Sequence, residues 1–111
     1  MKEVIVVRKG EKMKTTSLKG IRFDLLLKTD VLEAILHIHE PGASIGPPYK
    51  HMGQEVHILL KGEAEFEIKN HKYLLKEGDA ICFPSILIHT VRNPGKEKAI
   101  LFAVTVPPTF M

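Results

Sequence analysis

Between Glu63 and Ile68 three carboxylates alternate strictly with Ala64, Phe66 and Ile68, so one side of an extended segment is wetted while the other packs a core. The same two-residue period recurs between glycine, proline and asparagine breaks about every 8 to 12 residues, the spacing of a sandwich or small barrel. It predicts strands over 4–8, 21–27, 32–39, 55–61, 64–69, 72–75, 80–84, 89–92 and 99–106. Helical periodicity is nearly absent. Asn70-His71, between Ile68 and Tyr73, reads as a hairpin turn because asparagine tolerates the positive φ such turns demand. The run Ala99–Val104 is apolar at both parities, so both of its faces need cover, from a second sheet or from another subunit. His37 and His39 share a face at a strand end and read as an exposed or dimer-contacting pair, while His71 reads as a solvated turn tip. Cys82, between Ile81 and Phe83, reads as a small inert core residue.

A chain of 111 residues, 44% apolar and 26% charged, has room for one core and makes disorder improbable. We therefore expect a single domain over 1–111, with 1–30 as N-terminal strands or an arm at an edge or dimer contact and 31–111 as the barrel core. No apolar run approaches the ~18 residues of a membrane span, and the first ten residues show no secretory pattern. A lone cysteine fits a reducing, cytoplasmic setting. Residues 1–30 hold eight lysines and arginines against four acids, the remainder eight against nine. That basic segment has no interleaved aromatics and no helix-turn-helix pattern. It reads as a lysine-guarded edge, which argues against direct nucleic-acid binding.

Spacing singles out two segments for chemistry. In the first, Tyr49 and His51 share a face if extended, but Glu55 is roughly 13 Å further along a continuous strand, too far for one coordination sphere. The chain must turn between them, and Gly53 permits that. His57 shares parity with Glu55. In the second, His89 follows a Gly78-Asp79 turn and a break at Pro84. Phosphate-cradling loops and a Gly-x-Ser-x-Gly elbow are absent.

These two segments resemble the paired signature motifs of the cupins. Glu55, six intervening residues and Gly62 fit the first motif, with His51 in its second histidine position; Gly78, Pro84, His89 and Asn93 fall in register with the second. The chain departs from the pattern at Tyr49, where a histidine is expected, at Ala43 for a leading glycine, and at Pro84-Ser85-Ile86 for Pro-x-Gly. Over 32–106, including the Glu40–Ser44 turn, it is also similar to the C-terminal sensor domain of Xre-type helix-turn-helix regulators. The resemblance implies an all-β fold, the double-stranded β-helix of a jelly-roll-like barrel. It implies a divalent transition metal (iron, manganese, nickel or zinc) on His51, Glu55 and His89. Tyr49 is a poorer ligand than histidine because its phenol must first lose a proton, so the site is either weakened or empty. His57 is either a replacement ligand or, with Tyr49, a group facing a bound molecule. The expected function is small-molecule binding in the manner of a sensor, as a homodimer. The competing expectation is a metal-dependent dioxygenase, isomerase or decarboxylase.

Overall fold

A computed structural model describes residues 4–109 and shows an antiparallel all-β architecture with no helix among them. The strands are β1 (Lys14–Leu18), β2 (Ile21–Lys28), β3 (Glu33–His39), β4 (Gln54–Lys61), β5 (Ala64–Ile68), β6 (His71–Leu75), β7 (Ala80–Pro84), β8 (His89–Arg92) and β9 (Ala99–Val106). Six of them form one sheet in the order β1-β2-β3-β9-β4-β7, and three form another in the order β6-β5-β8. No ladder joins the two sheets edge to edge, so the jelly-roll-like barrel is open rather than closed. Isolated bridges Ser44–Arg92 and Tyr49–His89 instead lay the segment between β3 and β4 along β8.

Alternation decides which side chains lie between the sheets. In β5, Ala64, Phe66 and Ile68 are buried and join Leu59, Leu75, Phe83, Val91, Ala99 and Leu101 in one apolar cluster. A second cluster gathers Ile21, Phe23, Leu25, Ile35 and Ala43, and Ile45 packs against both. His37 and His39 share the inward parity of Ile35 and are buried, which corrects their reading as an exposed pair. Cys82 is corrected in the opposite sense. Its neighbour Phe83 takes the inward position, leaving the thiol exposed.

Two boundaries also move. Residues 4–8 form no strand, and the edge strand is Lys14–Leu18, whose five residues are all exposed. Its register comes from the two-residue turn Lys19-Gly20, both at positive φ, which places Leu18 opposite Ile21. The β5–β6 hairpin likewise turns on Lys69-Asn70, with His71 already paired to Ile68. Asn93 is fully buried; its amide donates to the carbonyls of His39, Glu40 and Glu97, and its oxygen accepts from Gly95 N–H. The motif asparagine thus ties the end of β8 to the end of β3. Phe110, expected to anchor the C-terminus, lies outside the described residues.

Candidate functional site

The turn between His51 and Glu55 is made at Gly53, whose φ of 101° belongs to glycine. A Cβ there would stand 1.9 Å from the Val106 carbonyl oxygen. Gly53→Ala is therefore expected to cost about 2 kcal/mol or more, because clash and backbone strain add. A chemical-denaturation midpoint checks this, and an unchanged midpoint would contradict the turn. Beyond Gly53, backbone bonds lace the segment in place. Ser85 N–H donates to the Gly53 carbonyl, His51 N–H to the Ser85 carbonyl, and Tyr49 and His89 exchange two bonds at 2.8 and 2.9 Å.

This lacing brings the sequence-predicted residues together. His51 Nε2 lies 3.0 Å from Glu55 Oε2, and His89 Nε2 lies 3.4 Å from the same oxygen without hydrogen-bonding geometry. The ligating atoms of His51, Glu55 and His89 fall within 4.8 Å of one another. Both rings are oriented from behind: His89 Nδ1 is 2.6 Å from the Leu87 carbonyl and His51 Nδ1 is 3.2 Å from that of Met52. A carbonyl accepts only from N–H, which places a ring hydrogen on Nδ1 and, in the neutral imidazole, leaves a lone pair on each Nε2. Two imidazole lone pairs and a carboxylate oxygen thus converge on one point, an arrangement that calls for a cation among them. The residues fit a divalent metal by this test.

His57 stands elsewhere. Its Nε2 contacts the other carboxylate oxygen, Glu55 Oε1, at 2.8 Å, and its ring lies among Phe66, Phe83 and His37. It grips the carboxylate from the far side of the three-atom group. Tyr49 lies over the group, its ring 4.7 Å from that of His89 and 6.0 Å from that of His51. Burial, and then the Glu55 charge, push its phenol up to about 12, so it stays protonated and offers a hydroxyl rather than a phenolate. Burial alone would raise the Glu55 carboxyl, but the His57 contact, the nearby His89 imidazole and the Ser85 hydroxyl outweigh it and hold the group well below the usual carboxylate range. His89 is raised: desolvation, which would lower it, is outweighed by the Glu55 carboxylate and the Leu87 carbonyl.

Sequence reasoning missed Ser85. Fully buried at the variable position of the second motif, it donates its hydroxyl to Glu55 Oε2 at 2.7 Å. Ser85→Ala is expected to weaken divalent-ion binding ~10- to 100-fold, the usual worth of a group that orients a ligand. Calorimetric titration with zinc reads it, and an unchanged affinity would remove Ser85 from the site. Glu33 and Thr105 were missed as well. Glu33, Thr105 and Glu55 stand in register across β3, β9 and β4, and the Thr105 hydroxyl and Thr109 N–H both donate to Glu33 Oε1. The inward parity of Glu33 with Ile35 and His37 was the available signal.

Apart from Ser85, which lies behind Glu55, these groups border one cavity of about 490 Å³ between the sheets. Phe23, Ile35, Phe66 and Val91 give it apolar walls; His37 and Glu33 line it with Tyr49, His51, Glu55, His57 and His89. Its size suits one modest molecule. Arg92 is outside it, exposed and bonded to Glu65 at 2.8 Å.

Comparison with known proteins supplies an independent finding. A family model described as the cupin domain matches residues 35–105. The chain is 27% identical over 79 residues to the HTH-type transcriptional regulator PuuR of Escherichia coli, an alignment covering 71% of this chain and 43% of the regulator. It spans less than two thirds of the length of the curated relatives it matches. Among solved structures it resembles an RmlC-like cupin from Shewanella frigidimarina (TM-score 0.82, 21% identity, covering 99% of this chain and 97% of that one). It also resembles the Cupin_2 domain of an XRE family transcriptional regulator from Enterobacter cloacae (TM-score 0.72, 19% identity, 81% and 99%).

Proposed function

The chain belongs to the cupin family, and from that premise we propose that it is a small-molecule-binding domain of the sensor type, with a divalent transition metal on His51, Glu55 and His89 anchoring the ligand in its cavity. The observation that carries this reading is the convergence of two imidazole lone pairs and one carboxylate oxygen on the cavity wall, with both ring hydrogens already committed to backbone carbonyls. A metal held by three protein groups keeps positions open for a ligand's oxygen or nitrogen. The Tyr49 hydroxyl and the imidazoles of His37 and His57 stand near enough to orient the rest of such a molecule. Similarity to the regulator PuuR supports the sensing reading.

The open coordination positions support a second reading, a metal-dependent enzyme, in which the protonated Tyr49 would be a proton donor beside the site. One experiment separates the two. Small acids, sugars and amino acids are screened by thermal shift with and without zinc, manganese, nickel or iron, and each stabilising compound is then followed for turnover. A compound that stabilises only with metal and is recovered unchanged supports the sensor. Its conversion supports the enzyme, and no metal-dependent shift with any compound contradicts both.

A further inference from the structure

The cavity is polar where the metal ligands stand and apolar beyond them. A divalent ion on His51, Glu55 and His89 outweighs the single carboxylate charge, and the exposed Lys50 adds a second cation at the mouth, so this end attracts an anion. Past it, sheet register lays the floor: Ile35 of β3 and His57 of β4 both stand opposite Ala103 of β9. Phe66 and Val91, paired across β5 and β8, close the space from the other sheet. Neither imidazole on the floor side brings a charge of its own to bear. His57 turns its Nε2 to Glu55, and His37 packs edge-on against Phe23, held uncharged by its burial and by His57 and His39. Away from the metal end and the mouth, Glu33 is the one acid or base lining the cavity among the described residues apart from these rings. It stands two strands from Glu55 with Thr105 between, ~10 Å from backbone to backbone.

We infer that the ligand is a monocarboxylic acid with an apolar body, its carboxylate on the metal and its hydrocarbon between Ile35 and the pair Phe66 and Val91. This rests on the metal-anchored reading above and narrows it to one class of molecule. Walls of this kind reward hydrocarbon, since each methylene taken out of water against them gains ~4-fold in affinity. Hydroxyls along the body would exchange water for aromatic and aliphatic carbon, which works against sugar acids. A second carboxylate would lose its water to the same walls and face the charge of Glu33 as well. An ammonium at the far end would gain from Glu33, but it too sheds its water beside Phe66 and Phe23, and desolvation of that kind can exceed the attraction. Glu33 already accepts from the Thr105 hydroxyl and the Thr109 N–H.

Calorimetric titration of the zinc-loaded protein with acetate, butanoate, hexanoate and phenylacetate tests this, with the zinc-free protein in parallel. Affinity is expected to rise ~4-fold per methylene from acetate to hexanoate, and phenylacetate to bind at least ~30-fold more tightly than acetate. Gluconate and 6-aminohexanoate are expected to bind at least ~10-fold more weakly than hexanoate, and succinate at least ~10-fold more weakly than butanoate. Val91→Thr keeps the shape of the wall but sets a hydroxyl in it, and should cut the ratio of hexanoate to acetate affinity at least ~3-fold. Acetate, too short to reach the wall, reports the metal alone. The wild-type series decides the matter even if that variant fails to fold. A series that stays flat with chain length, or gluconate, succinate or 6-aminohexanoate binding as tightly as its hydrocarbon counterpart, would overturn the ligand class while zinc-dependent binding kept the metal reading. Acids that bind equally with and without zinc would overturn both.

Discussion

Replacing His51 by alanine is expected to lower zinc affinity by at least ~100-fold, because even groups that merely orient a ligand are worth ~10- to 100-fold and this one is a ligand. The fold should survive. His51 lies on the segment before β4 with 23% of its side chain exposed, and its removal opens no cavity in either apolar cluster. The metal-free variant should therefore melt within a few degrees of the wild type, the span of ~1 kcal/mol for a domain of this size. His89→Ala is a less clean test because that ring is buried against Phe83 and Tyr49. Calorimetric titration of the His51 variant decides the matter, and an affinity equal to wild type would take His51 out of the site.

Acidification is expected to destabilise the fold, with about 3 kcal/mol lost through His39 between pH 7 and pH 4. The ring is 1% exposed, and both nitrogens are without a hydrogen-bond partner among the described residues. Burial, then the neighbouring His57, bring its folded value down to about 4 from the ordinary 6.5. Between those values the unfolded chain binds the proton and the folded chain does not. Stability from this group is thus fully present above 6.5 and drains away as the pH falls toward 4. His37, lowered by its burial and by His57 and His39, pulls in the same direction. Glu55, held below the carboxylate range, adds its own loss only below its ordinary value of 4.5. Urea midpoints at pH 7 and pH 4.5 should therefore differ sharply in the wild type and less in His39→Leu. An equal pH dependence in both proteins would show that His39 is not charged on unfolding.

Strands whose two faces meet different surroundings were legible in the letters. Glu63–Ile68 alternates because one side meets water and the other Phe83 and Leu101. Lys14–Leu18 was not legible, since an edge strand exposed at all five positions has no face to encode and takes its register from Lys19-Gly20. The opposite error arose at 4–8, where β-prone valines meet no neighbouring strand among the described residues. Cys82 and the pair His37 and His39 were misplaced for a shared reason. At all three positions residue type and parity disagree, and parity prevails: Phe83 and Ile35 mark the inward positions.

At the site, motif spacing marked His51, Glu55 and His89, and the need for a turn pointed to Gly53. Parity put His57 beside Glu55 but could not say which carboxylate oxygen it meets; that depends on how Phe66 and Phe83 wedge its ring. Ser85 was beyond reach of sequence. Its hydroxyl finds Glu55, thirty residues earlier, only because β7 pairs with β4 and aligns Pro84 with Gln54.

The central claim is that two imidazoles and one carboxylate, from the segment before β4, from β4 and from β8, bind a single ion. X-ray absorption at the zinc edge of the zinc-loaded protein tests it most directly. The account predicts one ion per chain with two imidazole shells at ~2.0–2.1 Å and the remaining scatterers oxygen. Failure to retain zinc, or a bound zinc surrounded by oxygen alone, would contradict it.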